Sequence, residues 1–134
     1  MARYLLDTNH LSAALDGTSR FRERLHQSLL AGNRFGTCVP VLCELETGIV
    51  HTRRRDENRR ILTVILRKVR IWPLEPALAP LYAGMYHSLR EEGRVLSQVD
   101  MLLGALARSL NATLLTSDRD FEAPADLRLE NWLI

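Results

Sequence analysis

Residues 98–118 read QVDMLLGALARSLNATLLTSD, and this stretch decides the kind of fold to expect. Gln98 to Leu110 is an apolar segment of helical length with an acid, Asp100, in its first turn, and Asn111 ends it. ATLLT (112–116) follows as a short apolar run of strand length, with Asp118 two residues beyond. A helix that leads directly into a buried strand is the building unit of a layered α/β protein.

The same alternation extends outward in both directions. Before Gln98 comes a loop, GRVLS (93–97), and before that the clearest amphipathic helix, Pro76 to Glu92, with Leu78, Tyr82, Met85 and Leu89 on one face. VRIWPL (69–74) reads as a strand, and residues 53–68 as a helix with Ile61, Leu62, Ile65 and Leu66 inward. FGTCV (35–39) is a strand, after which Pro40 opens a helix through VLCELETGIV, because its missing N–H is not needed in a first turn. Thr18 or Ser19 caps a helix carrying Phe21, Leu25 and Leu29, which Gly32-Asn33 ends. Nearest the N-terminus, ARYLL (2–6) is a strand running into Asp7, and HLSAAL is helical as far as Asp16-Gly17. After Asp118, LRLENW (127–132) supplies a fifth strand. Strands alternating with helices predict an α/β fold with a mostly parallel sheet of four to five strands, as one domain over residues 1–134.

Composition fits that expectation. With 134 residues, 46% hydrophobic and 25% charged, the chain has the make-up of an ordinary globular domain, not of a disordered or fibrous one. No apolar run approaches the roughly 18 residues of a membrane span, and Asp7 interrupts the N-terminus before a signal-peptide core could form, so a cytoplasmic protein is expected. Cys38 and Cys43 read as structural thiols, and His10, His26, His51 and His87 are too scattered for a zinc site. A phosphate-cradling glycine loop and a G-x-S-x-G nucleophile elbow are both missing from the sequence.

In open parallel sheets, ligands bind at the carboxyl ends of the strands. Asp7 follows the first strand, Glu44 lies in the first turns of the helix after the second, Asp100 opens the helix before the fourth, and Asp118 follows the fourth. Each has a plainer explanation: Asp7 and Asp118 as helix N-caps, Asp100 as a complement to a helix dipole. Glu44, between Leu42, Cys43 and Leu45, is expected to be buried, where an unpartnered carboxylate is costly. Four acids at one rim repel one another. A divalent cation with hard oxygen preference, Mg²⁺ or Mn²⁺, relieves that repulsion and activates water for attack on a phosphate. Glu46 lies about 200° around the helix from Glu44 and cannot share its direction. Gly48, one turn after Glu44, would let another backbone approach that face. Asp120 is read as capping the turn before Phe121, with contact to the metal through water as the alternative.

The basic residues are equally uneven. Residues 53–70 carry eight of the 18 Lys+Arg against Asp56 and Glu57. Pairs such as Asp56–Arg60 absorb part of that charge, and the excess suits an extended polyanion, with Arg53, Arg54, Arg55 and Arg59 on its flanking phosphates.

YLLDTN, VLCELETGI, SQVDMLLGALARSLNATLLTSDRDF and the closing LRLENW, in that order from Arg3 to Trp132, resemble the PIN-domain family, and within it most closely the VapC toxins of type II toxin–antitoxin pairs. The resemblance implies a small three-layer α/β/α fold and an Mg²⁺- or Mn²⁺-dependent endoribonuclease. It places the family's acidic quartet on Asp7, Glu44, Asp100 and Asp118, with Asp7 and Asp100 as the principal metal ligands and Asn9 and Thr116 in support. It further implies a homodimer held inactive by a cognate antitoxin. RVLSQV, before Asp100, departs from the family's usual pattern and leaves the local loop geometry open. A PIN nuclease of RNA processing without a toxin role, or a non-catalytic RNA-binding PIN domain, would carry the same motifs. A phosphate-accepting receiver domain would also gather acids at a sheet rim, but it needs a lysine downstream, and Lys68, the only one, follows a helix instead.

Overall fold

The structure is a computed structural model that describes residues 1–124 and 126–134. The elements run β1 (Arg3–Leu6), α1 (Thr8–Leu15), α2 (Arg20–Leu30), β2 (Arg34–Thr37), α3 (Val39–Val50), α4 (Arg55–Ile65), β3 (Val69–Ile71), α5 (Leu78–Glu91), α6 (Gln98–Leu110), β4 (Thr113–Leu115) and β5 (Leu129–Glu130). A short 3₁₀ helix, Arg119–Glu122, lies in the crossover between β4 and β5.

The five strands form one sheet in the order β3-β2-β1-β4-β5. Every neighbouring pair is parallel. The expected mostly parallel sheet is therefore parallel throughout. Connections between parallel strands are right-handed. The steps β1→β2→β3 move in one direction along the sheet and so put α1 to α4 on one face. The step from β3 back past β1 to β4 puts α5 and α6 on the other. Packing agrees with this: α1 touches α2, α3 and α4, while α5 packs on α6. The result is three layers.

Local sequence accounts for most boundaries. Leu5 and Leu6 alternate across β1, yet both are fully buried, because helices cover both faces of a central parallel strand. Ser19, rather than Thr18, caps α2, accepting the Phe21 N–H at 3.1 Å. Asn111 ends α6 at φ 53°, a left-handed conformation that Asn tolerates. The strand expected over 69–74 stops at Ile71, two residues short of Pro73, although Trp72 N–H still reaches Thr37 O at 2.9 Å. The helix expected from Pro76 begins at Leu78 after a turn, and that expected over 53–68 covers Arg55–Ile65.

A Cβ on Gly36 in β2 would lie 2.3 Å from the Trp72 ring, so the strand needs glycine where that indole crosses it. At Gly104 in α6, a Cβ would stand 3.2 Å from the Met85 side chain, and the missing methyl lets α5 lie close. Gly48 behaves differently from expectation: a Cβ there meets nothing within 4 Å, so no backbone approaches it and the position is simply open.

Candidate active site

Strand order reverses between β1 and β4, since the chain leaves β1 toward β2 on one side and reaches β4 on the other. That makes their carboxyl ends the switch point at which open α/β sheets form a crevice. Asp7 stands at the end of β1. It is 5% exposed, and its backbone N–H bonds Leu115 O at 3.0 Å, which ties it to the end of β4.

Asp7 caps α1, so the plainer reading of this residue also holds, and the cap orients the carboxylate. Thr8 N–H donates to Oδ1 at 2.7 Å. Thr116 Oγ1 donates to Oδ2 at 2.7 Å, and Asn9 Nδ2 donates to the same oxygen at 3.3 Å. A carboxylate offers about four acceptor sites, so Oδ2 is filled and Oδ1 keeps one site open. Burial pushes the Asp7 carboxyl above its usual range; the Thr116 and Thr8 hydrogen bonds oppose that, and Glu44 and Asp118 add to it.

Asp100 lies in the first turn of α6, which Ser97 caps by accepting the Asp100 N–H at 3.1 Å. Its carboxyl is pushed up to about 6, first by burial and then by Asp7, with smaller contributions from Asp118 and Glu44; a Ser97 hydrogen bond lowers it. Every charged neighbour that moves Asp7 or Asp100 is thus another acid.

Asp118 caps the 3₁₀ helix, accepting Asp120 N–H at 2.9 Å, and its own N–H donates to Thr116 Oγ1 at 3.0 Å. The cap before Phe121 is therefore Asp118 and not Asp120, which is exposed. Glu44 also differs from expectation. It is exposed rather than buried, and Thr8 Oγ1 donates to its Oε1 at 2.8 Å. Its apolar sequence neighbours misled because Leu45 turns inward while Cys43 and Glu44 face out.

The four acids thus share one electrostatic site. Among the described residues, no group of three or more His, Cys, Asp or Glu side chains stands close enough together to hold a metal ion by itself. That donor set suits a hard cation that keeps several waters and uses one or two carboxylates, as Mg²⁺ does, and not a structural zinc.

The family profile described as PIN domain matches residues 4–127. The chain belongs to the PIN-domain family. This PIN domain is similar to ribonuclease VapC2 of Rickettsia felis, at 26% identity over 130 residues, covering 96% of this chain and 97% of that one. Among solved structures it is similar to VapBC2 of Rickettsia felis bound to a DNA fragment from its promoter, with TM-score 0.86, 25% identity and 97% and 98% coverage. Its fold also matches VapBC-5 of Mycobacterium tuberculosis, a member of the VapBC family of toxin–antitoxin systems, with TM-score 0.70 and 22% identity over 100% of both chains.

From Glu44 of the PIN domain a groove of about 370 Å³ runs between α1 and α3, lined by Thr8, Ser12, Glu44, Gly48, Thr52 and Asn58. It ends at the α3–α4 turn, where Arg53, Arg54 and Arg55 are exposed and Arg59 pairs with Glu46 at 3.4 Å. Glu46 thus points away from Glu44, as its helical angle requires. No Asp56–Arg60 pair forms among the described residues; Arg54–Glu57, at 4.0 Å, takes its place.

The eight basic residues do not make one stripe. α4 is 11 residues, about 16 Å long. Arg67, Lys68 and Arg70 follow it around the start of β3, at the amino ends of the strands and so at the rim opposite the acids.

Sequence reasoning passed over Thr8, Ser97 and His10. Ser97 carried a local signal, Ser-x-x-Asp before an apolar helix, which is a capping pattern. Thr8 and His10 carried none, because their partners, Glu44 and Trp132, are far along the chain.

Proposed function

We propose that this PIN domain is a divalent-metal-dependent endoribonuclease and the toxin of a toxin–antitoxin pair. The observation that carries the reading is the gathering of Asp7, Asp100, Asp118 and Glu44 at the switch point, where burial raises the Asp7 and Asp100 carboxyls and every charged neighbour that adds to it is another of these acids. Similarity to a ribonuclease VapC2 supports RNA as the substrate, and likeness to VapBC assemblies supports a cognate antitoxin as partner. A homodimer and action in the cytoplasm belong to the same proposal.

Asp7 and Asp100 would hold Mg²⁺ or Mn²⁺, with Glu44 and Asp118 assisting, and the ion would lower the pKa of water and neutralise charge at phosphorus. The chain's own groups do the rest. Thr8 N–H, Thr116 and Asn9 hold the Asp7 carboxylate in one orientation. Thr8 Oγ1 holds Glu44 by Oε1, which leaves Oε2 to accept a proton from the attacking water. Water adds in line to the phosphodiester as the bond to the leaving oxygen breaks. Arg53, Arg54, Arg55 and Arg59, at the outer end of the groove, bind flanking phosphates and set the strand's register. Asp120, exposed next to Asp118, takes no direct part.

Sequencing of RNA ends after brief expression tests the proposal. Wild type should create discrete new ends that Asp7→Ala does not, and co-expression of the adjoining gene's product should suppress them. The same ends from Asp7→Ala, or no new ends at all, would reject the reading.

A further inference from the structure

His10 is fully buried, at the far side of Asn9 from the acids, and the mechanism above does not use it. Its two ring nitrogens have different partners. The backbone N–H of Trp132 donates to Nε2 at 3.0 Å, and Nδ1 stands 2.7 Å from Asn9 Oδ1. Nε2 accepts, so it carries no proton, and the neutral ring must carry its proton on Nδ1 and donate it to Asn9. Burial keeps the ring neutral, with a pKa lowered to about 4.

That proton fixes an orientation at Asn9. Oδ1 receives two donors, His10 Nδ1–H and, at 3.3 Å, Ser117 N–H. The amide nitrogen must then face Asp7 Oδ2 at 3.3 Å and Thr116 Oγ1 at 3.4 Å. With the amide turned over, two N–H groups would oppose each other at His10, and a carbonyl oxygen would face the Asp7 carboxylate.

We propose that His10 is a positioning residue of the active site: the C-terminal segment, through Trp132 N–H, locks the His10 tautomer, which locks the Asn9 amide, which holds Asp7 Oδ2 and leaves Oδ1 to a divalent cation. This rests on the metal-site reading above. Trp132 is itself anchored, packing against Tyr4, Phe21 and Phe35 with the Arg24 guanidinium 3.9 Å from its ring centre. The relay therefore begins in the aromatic core and ends on the first acid.

The alternative is a core histidine that does no more than satisfy a buried N–H. Two measurements separate the two. Long-range ¹H–¹⁵N correlation of the wild-type protein at pH 7 should show a neutral ring protonated at Nδ1; an Nε2–H tautomer or a charged ring overturns the relay. Mn²⁺ binding to the metal-free full chain, followed by EPR, should weaken about tenfold in His10→Leu, near the low end for an outer partner of a metal ligand. His10→Gln, whose amide can both accept from Trp132 and donate to Asn9, should restore most of that affinity. Equal Mn²⁺ affinity in wild type and a folded His10→Leu, or no rescue by Gln, overturns the proposal. Should His10→Leu not fold, the wild-type tautomer and the Mn²⁺ affinity of His10→Gln decide it. Wild type that binds no Mn²⁺ while showing the Nδ1–H tautomer would instead sink the metal-site reading.

Discussion

Asp100 and His10 titrate in opposite senses, and the difference is measurable. The Asp100 carboxyl sits at about 6 in the folded protein against 3.8 for the free group, so between those values the folded state holds the extra proton. Its contribution to stability is present at low pH and lost as pH rises through 6. His10 is lowered from 6.5 to about 4, so there the unfolded chain holds the extra proton and stability rises with pH across a similar range. A wild-type profile mixes the two. In metal-free protein, Asp100→Asn should therefore be compared with wild type by urea unfolding at pH 4.5 and pH 7.5. The variant's advantage should be greater at pH 7.5, where the wild-type carboxylate is charged among other acids. Its cleavage in Mg²⁺ should fall at least a hundredfold, a ligand's loss costing more than an outer partner's. A stability difference independent of pH would mean that burial and the neighbouring acids do not raise the Asp100 carboxyl.

Helices and strands deliver the site, and two positions show how narrowly. Ser97 closes the first turn of α6 and hydrogen-bonds the Asp100 carboxylate, so Ser97→Ala should lose about 1 kcal/mol by chemical denaturation and move the Asp100 pKa further up. An Asp100 pKa unchanged from wild type in that variant would contradict the hydrogen bond. On the sheet, Gly36→Ala must displace the Trp72 ring, which should cost about 1–3 kcal/mol as overpacking does, seen as a lower Tm with secondary structure retained. Most elements were legible because they announce themselves locally: Pro40 early in α3, Ser19 before α2, Asn111 after α6, and the apolar spacing of α5. The ends of β3 and β5 were not, because a two- or three-residue strand is set by its neighbour's hydrogen bonds and not by its own composition.

Across the molecule, the near balance of 18 basic and 16 acidic residues conceals separate territories. Acids occupy the switch point, and arginines flank the groove at the α3–α4 turn. Neutralising Arg53, Arg54 and Arg55 should raise KM for RNA and flatten its salt dependence, by about 0.7 in log–log slope for each phosphate that is no longer neutralised. Neutralising Arg67 and Lys68, at the amino-end rim of the sheet, should change neither, and equal effects from the two sets would reject the groove as the strand's path. Sequence alone determined the alternation of strands and helices and the parallel sheet, and it singled out four candidate acids, because periodicity, caps and position after a strand are properties of neighbouring residues. The tertiary structure decided that Glu44 is exposed, that Asp118 is the cap, that the basic run is split, and that Thr8 meets Glu44 and Trp132 meets His10. Each of those depends on which distant segments meet, and only the closed sheet, with β1 between β2 and β4 and Trp132 folded back onto His10, brings them together.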